Sequence, residues 1–453
     1  MPAISDSLTL PCGVVLPNRL LKSAMTEGLA TPMGQATARH DTLYRRWSEG
    51  GVGTLVSGNV MVDYRYLERP GNIVIDRNGG EDALARLAQA GTTAGNQFWM
   101  QISHPGRQCT RMSNRRPLAP SAIGLSGGGL FAVPRAMTED DIRIAIADYA
   151  RVAGVAKATG FTGVQVHGAH GYLLSQFLSP RTNQRGDAWG GPLENRARML
   201  LEVVRAVRQA VGPDFPVAVK LNSADFSKNG FTLEESCQVV QWLETEGVDL
   251  LEISGGTYEK LEFVEASTRQ ASSSQQREAY FLEYARDIRA AVKLPLAITG
   301  GFRSRGAMDA ALGDQAVDVI GLARPTCVEP DAGQRLCADS DHRLPEPERQ
   351  LRLGRGPLGP QSSTQLVRLL NSQAAVSWFY QQIIDLAEGR AVPNKVSIFT
   401  AYLRYFAREL RLSLARGRAL KRAGLSLIDR PTDSAAASDS GWAPRSEAMA
   451  TRH

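Results

Sequence analysis

GVQVHG at 163–168, an amphipathic stretch over 194–211 and PVAVKL at 216–221 form the unit whose reading decides the fold. The two short runs are rich in β-branched residues. Between them Met199, Leu200, Val203, Val204 and Val207 recur on one side of a helix. Strands joined by a helix run parallel, through a right-handed crossover. The same rhythm repeats along the first 330 residues. Further strands are expected at 20–25, 53–60, 97–103, 249–254, 295–299 and 317–322. A second long helix, 138–159, carries Ile142, Ile146, Tyr149 and Ala153 on one side. Eight such units predict an α/β protein built as a (β/α)8 TIM barrel over residues 1–335. Beyond it the rhythm stops. Residues 336–363 read as a charged, Pro/Gly-rich linker, 364–425 as a C-terminal helical extension and 426–453 as a disordered tail.

Composition narrows the class. With 43% hydrophobic and 22% charged residues the chain reads as a soluble globular protein, and no apolar run approaches the 18 or so residues of a membrane span. The N-terminus lacks the basic and apolar regions of a signal peptide, so a cytoplasmic location is expected. Five cysteines, odd in number and never spaced as CxxC, argue against a disulfide framework, a zinc site or an iron–sulfur cluster. The net charge of +6 gathers mostly after residue 400, and the first 330 residues show no basic patch interleaved with aromatics. Nucleic acid is therefore not an expected partner.

In a barrel of this kind, chemistry sits at the C-terminal ends of the strands. Those ends read Met25-Thr26, Asn59, Gln101 with His104, His167 with His170, Lys220, Gly300-Gly301 and Ala323-Arg324. Gly300 and Gly301, ahead of a helix, let backbone N–H groups approach an anion, and Arg324 follows the next strand. Together they point to a phosphate site, against the plainer alternative of a tight turn and a surface arginine. His167 and His170 could donate two hydrogen bonds to one substrate oxygen, with Tyr172 placed to deliver a proton. A metal pair, or two packed imidazoles, are the alternatives.

The segment HGAHGYLLSQFLSPRTNQRGDAWGGPLENRARMLLEVV, 167–204, resembles the signature of old yellow enzymes and related NADH:flavin oxidoreductases. LPNRLLKSAMTE, MQISHPGRQ, VAVKLNSADF, ITGGFRS and VIGLARP extend the resemblance from residue 10 to about 330. It implies bound FMN, with NADH or NADPH as reductant. It further implies that Met25, Thr26, Asn59, Gln101 and Lys220 surround the flavin ring, with Lys220 where relatives carry arginine. Gly300, Gly301, Ala323 and Arg324 would clamp the phosphate, His167 and His170 would hold the substrate oxygen, and Tyr172 would protonate carbon. The implied reaction is a ping-pong reduction of an activated C=C bond in an α,β-unsaturated carbonyl or nitro compound. A dehydrogenase or oxidase on the same barrel, or a silent binding protein, are the other readings. Ala24 departs from the family's usual proline, and no tyrosine follows Met25 closely, which leaves substrate size open.

One helix of the extension, 395–423, carries Phe399, Leu403, Phe406 and Leu410 on one face and Arg404, Arg408 and Arg411 on another. The apolar face is expected to pack on the barrel or on a second copy in a homo-oligomer, with the arginines in solvent. Contact with an anionic membrane surface is the alternative.

Overall fold

Alternation of side chains along each strand organises the molecule. The computed structural model describes residues 1–125, 131–225, 228–254 and 274–428, with backbone only over 274–281. Its eight barrel strands are β1 (Leu20–Lys22), β2 (Thr54–Met61), β3 (Gln97–Ser103), β4 (Gly163–Gly168), β5 (Val217–Asn222), β6 (Leu250–Ser254), β7 (Leu296–Thr299) and β8 (Val319–Leu322). Each pairs in parallel with the next, and β8 returns to β1 through Ile320 opposite Leu20 and Leu322 opposite Lys22. The sheet is thus a closed barrel. An antiparallel hairpin, Leu8–Thr9 with Val15–Leu16, precedes β1.

Outward positions such as Val164 and Val166 of β4, or Val217, Val219 and Leu221 of β5, join the large core beneath the helices. Inward positions form a separate cluster of Leu21, Val56, Trp99, Ala218, Leu250, Ala297 and Val319. One step further along, the same inward rows turn polar: Gln101, Lys220, Glu252 and Thr299 follow Trp99, Ala218, Leu250 and Ala297 two residues later. A plugged apolar floor therefore carries a polar belt. Gly321 is required where the belt closes, because a Cβ there would sit 1.9 Å from Thr299 Oγ1.

The surrounding helices are α1 (Ala38–Ser48), α2 (Glu81–Gly91), α3 (Glu139–Ala158), α4 (Leu193–Val211), α5 (Leu233–Thr245), α6 (Ser274–Ala291) and α7 (Arg305–Gly313). Capping fixes where they begin. Thr138 and Asp141 cap α3 reciprocally, and Thr232 and Glu235 do the same for α5. The expected apolar ridges of α3 and α4 are buried, with only Ile146 partly open. β1 stops at Lys22, short of the expected residue 25; the Ser23 N–H still donates to Leu322 O at 2.8 Å, after which the chain leaves the ladder.

Two further helices, α8 (Gln365–Ala387) and α9 (Ile398–Arg422), follow the barrel. Here one branch of the expectation for 395–423 fails, since the apolar face does not pack on the barrel, while Arg404 and Arg411 lie in solvent as expected. Phe399, Leu403, Phe406 and Leu410 are 49% to 59% exposed. A polar edge of α9 meets the barrel, together with Leu420, which joins Met61, Tyr64, Leu67 and Val74 in a small apolar cluster. Arg69, itself buried, pairs with Glu409 at 2.6 Å. Arg408 donates to Gly28 O at 3.0 Å, Ser413 to Met112 O at 3.1 Å, and Arg416 to Tyr64 O. The barrel presents carbonyl oxygens and a buried guanidinium there, and apolar side chains could satisfy neither. From residue 429 on, the tail lies outside the described residues. Among those described, no helix is long and apolar enough to cross a membrane.

Candidate active site

The polar belt across the barrel mouth is a continuous chain of hydrogen bonds. Gln101 Nε2 donates to Gln165 Oε1 at 2.7 Å, and Gln165 Nε2 donates to Glu252 Oε2 at 2.7 Å. The other carboxylate oxygen of Glu252 meets Lys220 Nζ at 2.9 Å and accepts from Thr299 Oγ1 at 2.6 Å. Thr299 Oγ1, its proton given to Glu252, accepts from Ser23 Oγ at 2.5 Å. Five strands contribute, with Ser23 just beyond β1. Burial raises the Glu252 pKa, but Lys220, Thr299 and Gln165 together outweigh it and hold the carboxyl below its usual range. Lys220 thus carries a balanced charge. Gln165 and Glu252 were not singled out in the sequence. Their signal is register: Glu252 lies directly opposite Lys220, and Gln165 is one inward step before His167.

At the end of β4 the chain places His167, His170 and Tyr172 together. The imidazole rings stand 5.1 Å apart, nearly perpendicular, and the Tyr172 ring lies 4.8 Å from His167. His170 adopts a φ of 61°, a left-handed turn that lets two residues three apart face one point. Its backbone N–H donates to Asn222 Oδ1 at 3.1 Å, and its Nε2 lies 2.7 Å from Ser254 Oγ. His167 Nδ1 accepts from the Ala169 N–H at 3.2 Å, which leaves Nε2 as the protonated nitrogen of the neutral ring. Burial, then His170 and Lys220, push the His167 pKa well below its usual value. Burial, then Lys220, brings His170 down to about 3. Both imidazoles are neutral near pH 7. Among the described residues no group of three or more His, Cys, Asp or Glu side chains is arranged to hold a metal ion.

At the other side of the mouth, Gly300 and Gly301 have φ of 141° and 83°, conformations that L side chains rarely adopt. They lead into Ser304 and the first turn of α7, whose N–H groups carry positive partial charge. Ala323 follows β8, and its carbonyl accepts from the Thr326 hydroxyl. Arg324 and Arg303 both approach Glu348, at 3.8 and 2.6 Å. Glu348 comes from 336–363, the segment expected to be a linker. Burial raises its pKa, but Arg324 and Arg303 prevail and hold it below its usual range.

The remaining site residues line the near wall. Met25 Sδ is 3.5 Å from Cys327 Sγ. Thr26 Oγ1 and Asn59 Nδ2 both donate to Glu68 Oε2, at 2.9 and 2.7 Å. Asn59 Oδ1 is buried and has no hydrogen-bond partner. Glu68 is a site-wall residue that the sequence reading passed over.

Comparison with known proteins places this arrangement. The profile of the NADH:flavin oxidoreductase / NADH oxidase family matches residues 11–341. The NADH-dependent flavin oxidoreductase nadA of Aspergillus parasiticus is 40% identical over 339 residues, spanning 71% of this chain and 74% of that protein. The NADH-dependent flavin oxidoreductase iliE of Hypocrea jecorina is 37% identical over 345 residues, spanning 71% of this chain and 86% of its own length. Among solved structures, the old yellow enzyme homologue of Zymomonas mobilis superposes with a TM-score of 0.64 at 25% identity, covering 77% of this chain and 96% of its own. Morphinone reductase in complex with tetrahydroNAD gives the same TM-score and identity, with 77% and 94% coverage.

Proposed function

The chain belongs to the NADH:flavin oxidoreductase / NADH oxidase family, and from that premise we propose that this FMN-dependent, NAD(P)H-oxidising enzyme reduces the activated C=C bond of a small α,β-unsaturated carbonyl or nitro compound. The observation that carries the reading is the buried, neutral imidazole pair beside Tyr172. Neutral imidazoles donate N–H bonds to a carbonyl or nitro oxygen without bringing a competing cation, and so favour charge that develops there during the reaction.

The residues present fit FMN. Gly300 and Gly301 take backbone conformations that favour glycine just ahead of α7, and Arg324 and Arg303 meet at Glu348. Ala323, just after β8, completes the phosphate clamp. Asn59 Oδ1 is a buried acceptor awaiting a donor, and Met25, Thr26, Gln101 and Lys220 would hold the ring around it. When bound, FMN supplies the hydride carrier between nicotinamide and substrate. The protein binds and orients: His167 and His170 fix the substrate oxygen, and Tyr172 delivers a proton to carbon.

Two variants test the assignment. Arg324→Ala removes a charge-assisted contact, which is typically worth about 1.5–3 kcal/mol. FMN affinity measured by fluorescence is expected to fall about 10- to 100-fold; unchanged affinity would remove the arginine from the phosphate site. His167→Ala is expected to abolish binding of phenol-type inhibitors, seen as loss of their absorbance changes, while FMN stays bound. Loss of a stoichiometric metal ion from that variant would overturn the substrate-oxygen reading.

A further inference from the structure

Glu68 stands in the loop after β2, and none of the roles above uses it. One oxygen of its carboxylate, Oε2, accepts from both Thr26 and Asn59. The next residue, Arg69, is clamped from outside the barrel. Its guanidinium pairs with Glu409 of α9 at 2.6 Å and lies 4.1 Å from the ring centre of Tyr380 of α8 and 5.0 Å from that of Tyr405 of α9. The two C-terminal helices therefore fix the backbone that carries Glu68. The consequence at the site is a defined polarity. Thr26 has spent its only hydroxyl proton on Glu68 and is left with lone pairs. Asn59 has spent one of its two amide hydrogens there, and its Oδ1 is buried and unpartnered.

Resting on the FMN reading above, we propose that Glu68 is a positioning residue that sets the reduction potential of the bound FMN, by fixing the Thr26 hydroxyl as an acceptor and by placing a carboxylate at the wall assigned to the ring. Two-electron reduction with uptake of one proton leaves the ring more negative, and a nearby carboxylate opposes that gain. Glu68 holds the potential down.

The test is the midpoint potential of the purified, FMN-loaded protein, measured by anaerobic dye equilibration. Glu68→Gln can keep both hydrogen bonds through its carbonyl oxygen while losing the charge. It is expected to raise the ratio of affinities for reduced over oxidised FMN by about tenfold, a positive shift of about 30 mV for a two-electron couple. Glu68→Ala is expected to shift the midpoint the same way and also to change the shape of the visible flavin band, as Thr26 and Asn59 reorient. A Glu68 that merely braces the loop would lower thermal stability in both variants and leave the midpoint at the wild-type value, and that result overturns the proposal. Wild-type protein that binds no FMN would instead overturn the cofactor reading on which it rests, so the two failures are distinguishable.

Discussion

Tyr172→Phe is expected to slow the reaction of the reduced enzyme with an enone such as cyclohexenone by about 10²–10⁴-fold, the usual contribution of a positioned proton donor. The substitution removes only a hydroxyl, so the buried ring and its contact with His167 remain. Reduction of the bound cofactor by NADH needs no proton from this side chain and is expected to stay near the wild-type rate. Reoxidation by a quinone, which requires no protonation at carbon, is expected to change little. Rapid mixing of each half-reaction separates these cases. Equal slowing of both half-reactions, or an unaffected enone reaction, would show that Tyr172 is not the acid.

The second large effect is on stability in acid. His40, His104, His167 and His170 are all buried, and burial is the leading cause that lowers each: to about 4, about 4, well below the usual value, and about 3. In the unfolded chain the same groups titrate near pH 6.5. Below pH 6.5 the unfolded state therefore binds protons that the folded state refuses. The stability held by these neutral imidazoles is complete above pH 6.5 and is lost as pH falls toward the folded-state values. Four protons taken up near pH 5 correspond to roughly 5 kcal/mol per pH unit. Since whole domains are stable by only about 5–15 kcal/mol, the protein is expected to unfold before pH 4. Urea midpoints at several pH values between 7.5 and about 5 would show it, and a flat profile would exclude it. His104→Gln is expected to reduce the slope by about a quarter.

The barrel was legible because its signal is repetitive. Expected strand 97–103 is β3 to the residue, and 163–168 is β4. Period-two alternation also marks which residues turn inward, so His167, Lys220 and Gln101 stand out as polar residues at the ends of apolar rows. Glu252 was equally marked but passed over, since one acid in LLEIS carries no meaning until Lys220 is known to lie opposite. Glu68 was not legible at all: it meets Thr26 across 42 residues of sequence and sits in a loop without periodicity. For α9 a helical wheel separates an apolar face from a basic one, but only the surface it lands on decides which is covered. The deciding partner, Arg69, lies 340 residues away.

That separation has a consequence for how the enzyme is made. A ribosome adding about 5–20 residues each second leaves Arg69 waiting roughly 20–70 s for Glu409 to emerge. All eight strands, up to Leu322, have been synthesised before then. The strands of the barrel are therefore complete while the loop that carries Glu68 is still unbraced, and a buried guanidinium without its counter-ion is costly to leave so. A chain released early, before α9, would keep the barrel strands and lack the clamp.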